Sequence, residues 1–121
     1  MILADTSVWI DYARKGDTQV ETLARDGLMC SHSFVSGEMA VGSLHLHHRM
    51  LLMIRNLPQI ATVSEEEFYA FIEANAVNGK GLGFVDMHLL AAASRTTDTV
   101  IWTRDRRLLD QADRLNLAYR P

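Results

Sequence analysis

Short apolar runs alternate along this chain with longer stretches whose apolar residues recur at helical spacing. Ile2-Leu3-Ala4 is an apolar run ending in Asp5, and it predicts a buried strand. Residues 6–14 follow with Trp9, Tyr12 and Ala13 on one helical face. Asp17 is placed to cap a second helix reaching about Arg25, with Gly27 as its stop. Leu28-Met29-Cys30 predicts a second short strand. Ser33 is placed to cap a helix holding Phe34, Glu38, Ala40 and Val41.

Residues 46–57 put Leu46, Met50, Met53, Ile54 and Leu57 on one helical face, with Leu51 and Leu52 apolar on the opposite side, and Pro58 ends the element. Ile60 to Val63 predicts a third strand. Ser64-Glu65-Glu66-Glu67 fits a capping box ahead of a helix with Phe68, Phe71 and Ile72 as its buried stripe. Gly79, Gly81 and Gly83 mark a turn-rich connector into a helix over 84–93, whose alanines allow close packing. Thr99 to Thr103 predicts a fourth strand, Asp105 a cap for a last helix, and Leu117 to Tyr119 a final edge strand. Short apolar strands alternating with helices indicate an α/β fold, a parallel sheet with helices on both faces. Residues 1–121 read as one domain, without repeat, linker or low-complexity segment.

Composition narrows the class. Of 121 residues, 48% are hydrophobic and 22% charged, enough apolar surface for a real core. No apolar run approaches the ~18 residues of a membrane span. The start has neither a basic region nor an apolar signal core, so no signal peptide is expected and the cytoplasm is the expected compartment. One cysteine, Cys30, excludes an internal disulfide and a cysteine-rich zinc site, and reads as a small buried residue. Net charge is −3. A nucleic-acid binder usually carries a basic excess, so any such role here needs positive charge from elsewhere.

Four separated acids offer that source. In an open parallel sheet, ligands bind beyond the carboxyl ends of the strands. Asp5 ends the first strand and Asp105 follows the apolar core of the fourth, so both emerge at one edge. Glu38 and Asp86 sit on helices able to bring two more carboxylates there. The gaps of 33, 48 and 19 residues mean that only the fold brings them together. Two carboxylates about 5 Å apart repel by roughly 3 kcal/mol at an effective dielectric near 20. A cluster of them takes up protons or binds a cation. Oxygen-only ligands select hard ions, Mg²⁺ or Mn²⁺ over zinc. Each acid also has a plainer account: Asp86 and Asp105 as helix caps, Glu38 as a solvated residue. Asp5 resists this, because a charge directly after an apolar strand is costly without partners.

The four segments together resemble a PIN domain, in particular the toxin nuclease of VapBC-type toxin–antitoxin pairs. The resemblance spans about residues 2–117. Leu3-Ala4-Asp5-Thr6-Ser7-Val8-Trp9-Ile10-Asp11 is similar to the family's opening motif, Gly37-Glu38 to the second, Gly81-Leu82-Gly83-Phe84-Val85-Asp86 with Leu89 to Ala93 to the third, and Trp102-Thr103-Arg104-Asp105 to the fourth. One departure is visible: members often carry an aromatic after the fourth acid, where this chain has Arg106-Arg107-Leu108. The resemblance implies a three-layer α/β/α sandwich with a mainly parallel sheet of about four or five strands. It implies a metal-dependent endoribonuclease whose catalytic, metal-holding residues are Asp5, Glu38, Asp86 and Asp105. Asp5 and Asp86 would hold Mg²⁺, with Mn²⁺ substituting, and Glu38 and Asp105 would complete the shell. In-line attack by water would leave a 5′-phosphate and a 3′-hydroxyl. The implied partners are an RNA substrate, a cognate antitoxin and a second copy in a homodimer, with no membrane.

Other residues have two readings each. Ser7 and Thr103 either orient the acids or cap backbone groups. Arg104, Arg106 and Arg107 either meet RNA phosphates or pair locally, for instance with Asp110. From Met39 to Ser64 there is no acid, and Arg49, Arg55, His45, His47 and His48 there offer a basic rim or merely a polar turn. Three imidazoles at that spacing do not make a zinc site, although His45 and His48 alone can pair. The second apolar side of the 46–57 helix is either core or an interface for an antitoxin helix or a second copy. Trp9 and Trp102 read as core beside the site. Gly79-Lys80-Gly81-Leu82-Gly83 follows a helix and is neither a Walker loop nor a dinucleotide fingerprint. A phospho-acceptor module would want a lysine after a strand, and Lys15 and Lys80 are not so placed. The alternative to the nuclease is an inactive PIN-like module that binds RNA or protein.

Overall fold

The computed structural model describes residues 1–42 and 48–121. Three strands, β1 (Ile2–Ala4), β2 (Met29–Cys30) and β3 (Val100–Trp102), are separated by seven described helices. These are α1 (Thr6–Lys15), α2 (Thr18–Arg25), α3 (Ser33–Val41), α4 (His48–Asn56), α5 (Glu65–Asn75), α6 (Phe84–Ser94) and α7 (Arg106–Arg114). The sheet runs β2-β1-β3, all parallel. Parallel neighbours need long crossovers, which the helices supply. Register is set by Leu3, which lies opposite Cys30 on one side and Ile101 on the other. The first strand is therefore the centre, and the chain departs from it in both directions. Ligand crevices form where strand order reverses in this way, and the residue at that point is Asp5.

Leu3, Ala4, Met29, Cys30, Ile101 and Trp102 are buried on both faces of the sheet, as a parallel sheet covered by helices requires. Trp9, Val20, Val35, Ile54, Leu90 and Leu108 carry the helices onto them. A smaller cluster joins Phe68, Val77 and Met87. The architecture is the α/β sandwich the sequence implies, with three strands among the described residues where four or five were expected. Ile60 to Val63 does not form a strand. Only Gln59 bridges to Ser31, with Ile60 N–H donating to the Ser31 carbonyl at 2.9 Å. Beyond it Ala61 and Thr62 are exposed, and the neighbouring chain has already turned into α3. Leu117 to Tyr119 likewise contributes a single bridge, Ala118 to Ile101.

Most helix starts follow their polar side chains. Asp17 accepts from Gln19 N–H at 2.9 Å, and Ser64 and Glu67 form the reciprocal capping box. The third helix differs. Its cap is His32, whose Nδ1 accepts from Phe34 N–H at 2.9 Å, and Ser33 is already the first helical residue. On α4, Ile54 is buried and Leu51 packs against the core, whereas Leu52 is exposed. Leu46, His45 and His47, and with them the His45–His48 pair, lie outside the described residues. Ala91, Ala92 and Ala93 of α6 are all buried, so no side of that turn has room. Ala93→Leu is expected to destabilise the fold by about 1–3 kcal/mol through overpacking, read as a lower urea midpoint at unchanged slope.

Candidate active site

Asp5 is 3% exposed and caps α1. Its Oδ1 accepts from Ser7 Oγ at 2.5 Å and from Val8 N–H at 3.2 Å, and its Oδ2 accepts from the Thr103 hydroxyl. Both hydroxyls are held in turn: Arg104 N–H donates to Ser7 Oγ at 2.8 Å and Asp105 N–H to Thr103 Oγ1 at 3.0 Å. Ser7 and Thr103 thus do both things open to them, fixing a carboxylate and receiving backbone groups. Burial raises the Asp5 pKa, and the two hydroxyls and backbone N–H groups draw it part of the way back.

The other acids approach from separate elements. Asp105 caps α7 through Oδ1, accepting from Arg107 N–H at 2.8 Å and Leu108 N–H at 3.2 Å. Asp86 sits in the first turn of α6, where Gly83, not Asp86, is the cap. Glu38 of α3 is exposed and accepts from the Thr6 hydroxyl at 3.4 Å. Its pKa is raised by partial burial and by the charge of Asp5, with Thr6 opposing. The Asp86 carboxyl is pushed up to about 6, first by burial and then by the charges of Asp5, Asp105 and Glu38. Four carboxylates from four motif segments therefore share one electrostatic field. They do not stand as a closed cage: among the described residues, no three or more His, Cys, Asp or Glu side chains form a metal-holding group. Mutual repulsion opposes such closure. The donor set, all carboxylate oxygen with uncompensated charge, fits a hard divalent cation.

The arginines behave unequally. Arg104 reaches away from the cluster, to Asp11 Oδ2 at 3.3 Å and Asp17 Oδ2 at 3.0 Å, and lies over the Trp102 ring at 5.3 Å. It ties the segment before Asp105 to α1 and to the start of α2. Arg106 faces Asp110 at a loose 3.8 Å. Arg107 lies across the connector, so that a Cβ at Gly81 would meet its Cδ at 3.0 Å, and Gly81 has φ +81°. The loop before the third acid is thus seated against the helix after the fourth. The partnership of Asp11 and Asp17 with Arg104, and that of Thr6 with Glu38, carried no local signal beyond the cap at Asp17 and the neighbour of Asp5. A cavity of about 620 Å³ opens elsewhere, between α1, α2 and α4, lined by Tyr12, Glu21, Arg49, Met50 and Met53 among others.

The PIN domain family model matches residues 2–115. The chain belongs to the PIN-domain family. It is 36% identical over 108 residues to the protein named Ribonuclease VapC32 in two strains of Mycobacterium tuberculosis, covering 89% of this chain and 87% of that one. The likeness to VapC-type members, drawn from the four motifs, therefore holds. The crystal structure of PAE2754 from Pyrobaculum aerophilum superposes with a TM-score of 0.61 at 16% identity, over 91% of this chain and 84% of that chain, a likeness of fold. No described helix is long and apolar enough to cross a membrane.

In the PIN-domain chain the carboxylate field has a cost that can be measured without any reaction. Folded Asp86 holds its proton up to about pH 6, whereas its ordinary value is 3.8. Protonation therefore favours the folded state as pH falls through 6, and that contribution is lost as pH rises. In chelator, Asp86→Asn is expected to raise unfolding free energy at pH 7 by on the order of 2 kcal/mol. It is also expected to flatten the pH dependence between 4 and 7, as followed by urea unfolding.

Proposed function

We propose that this chain is the toxin of a toxin–antitoxin pair, a metal-dependent endoribonuclease that hydrolyses RNA phosphodiester bonds. The observation that carries this reading is that the charges of Asp5, Asp105 and Glu38 all bear on the half-buried Asp86 carboxyl, with Asp5 and Asp105 following β1 and β3. The 36% identical relative named as a ribonuclease supports it.

Asp5 and Asp86 would hold the ion, Mg²⁺ with Mn²⁺ substituting, and Glu38 and Asp105 would complete its surroundings. Such an ion, when bound, acidifies water and neutralises the phosphoryl oxygens. Ser7 and Thr103 hold Asp5 in one orientation, so its oxygens need no reordering at the moment of reaction. Asp105 keeps one oxygen on the helix start and offers the other. Water attacks phosphorus in line, the bond to the 3′-oxygen breaks, and a 5′-phosphate and a 3′-hydroxyl remain. Arg107, on the helix that Asp105 caps and seated against Gly81 of the loop before Asp86, suits a phosphate of the strand. One or two divalent ions also offset the −3 charge that would otherwise repel RNA.

Such an enzyme requires an external inhibitor, the cognate antitoxin. The groove lined by Tyr12, Met50 and Met53 suits an amphipathic helix from that partner or a second copy of the chain. A cytoplasmic location follows from the substrate.

Purified chain, free of partner, is expected to cut total RNA at discrete sites with Mg²⁺ or Mn²⁺ and not with chelator. Asp5→Asn and Asp86→Asn are each expected to lower the rate by at least about 100-fold. Uncut RNA in every metal, or full activity in both variants, overturns the reading.

A further inference from the structure

An aromatic cluster spans the helices that carry Glu38 and Asp86 and includes neither acid. Phe34 on α3 and Phe84 at the start of α6 stack at 6.5 Å with 20° between their planes. His88, one turn along α6, stacks on Phe68 of α5 at 4.0 Å and 10°, and meets Phe84 edge-on at 4.6 Å. Over this floor opens a cavity of about 340 Å³ lined by Glu65, Phe68, Tyr69, Phe84 and His88. Two of its rings face water: Phe84 is 65% exposed and Tyr69 61%. Beneath them His88 is only 6% exposed, and its Nδ1 has no hydrogen-bond partner within the described residues. Two large aromatic rings left open to water over such a cavity offer a stacking platform.

The position is equally telling. Phe84 and Asp86 share the first turn of α6, and Phe34 lies one turn before Glu38 on α3. The stacked Phe34–Phe84 pair therefore joins the two helices that carry Glu38 and Asp86. We propose that this pocket is a nucleobase subsite: an unpaired base of the RNA strand stacks on Phe84 and Tyr69 while its adjoining phosphodiester lies at the carboxylates. The inference rests on the ribonuclease reading and adds to it a contact with the base. Its chemistry is that of single-stranded RNA recognition, where splayed bases stack on aromatic side chains. The pocket has room for one flat base. The Glu65 carboxylate at its rim repels a phosphate but accepts from an exocyclic amine, which favours adenine, cytosine and guanine over uracil.

Short single-stranded RNAs of mixed sequence, each carrying one 2-aminopurine, report stacking as fluorescence quenching. Binding is followed in Ca²⁺, and cleavage in Mg²⁺. Wild type is expected to quench the probe, Phe84→Leu to weaken binding about tenfold or more and abolish the quench, and Phe84→Tyr to retain both. Mn²⁺ affinity by calorimetry is expected to match in wild type and Phe84→Leu, which separates a lost subsite from a lost fold. If wild type cuts RNA but quenches no probe, or if Phe84→Leu binds and quenches as wild type does, the subsite is wrong and the nuclease stands. If Phe84→Leu instead turns a sedimenting dimer into a monomer with RNA binding intact, the patch joins two copies and the subsite is wrong. If wild type neither binds nor cuts RNA, the ribonuclease reading falls and takes the subsite with it.

Discussion

A carboxylate placed at the end of a strand buried on both faces must find hydrogen-bond donors or give up its charge, and the arrangement around Asp5 follows from that constraint. The donors come from two directions: Ser7 and the Val8 N–H from the helix that Asp5 itself caps, and Thr103 from the segment after β3. Those donors are anchored by the backbone of Arg104 and Asp105. Satisfying one acid therefore fixes the position of a second. Arg104 adds a tie to Asp11 and Asp17. These ion pairs are partly exposed, so they contribute placement more than stability. The central place of β1 in the sheet makes Asp5 the point where elements from both halves of the chain meet.

Gathering Asp86, Asp105 and Glu38 around that point works against the fold. A small domain has only about 5–15 kcal/mol of net stability, and like charges in a half-buried setting spend part of it. The strain falls mainly on Asp86, which is half-buried and feels all three neighbours. Such a concentration persists where function requires it, and stability and activity then oppose each other. The all-oxygen character of the cluster and its net negative field match a hard divalent ion, which would relieve the repulsion and serve the chemistry at once.

Local chemistry was readable wherever a side chain acts on its own backbone. The caps at Asp17, Ser64–Glu67 and Asp105 follow from residues three or fewer apart. Doubly buried strands announced themselves as apolar runs. What depends on distant neighbours was not readable. Ile60 to Val63 has strand composition, but pairing stops at Gln59 because the adjacent chain turns away at His32. His32 is an unusual cap, chosen by its buried place and not by propensity. The pairing of Arg104 with acids 87 and 93 positions away has no trace in the local sequence. That Asp5, Glu38 and Asp105 bear on Asp86 was legible only through the ordered motifs, since each acid alone is an ordinary cap or surface residue.

The claim on which the rest turns is that the four acids form one coupled charge cluster built to take a cation. Titration of the Asp86 side-chain carboxyl carbon by NMR tests it most directly, in metal-free protein, with Mg²⁺ added, and in Asp5→Asn. The account predicts a midpoint near 6 in the metal-free wild type, falling in Asp5→Asn and falling further when Mg²⁺ binds the wild type. A midpoint at the ordinary 3.8, unmoved by Mg²⁺ or by the loss of Asp5, would mean that the acids do not act together.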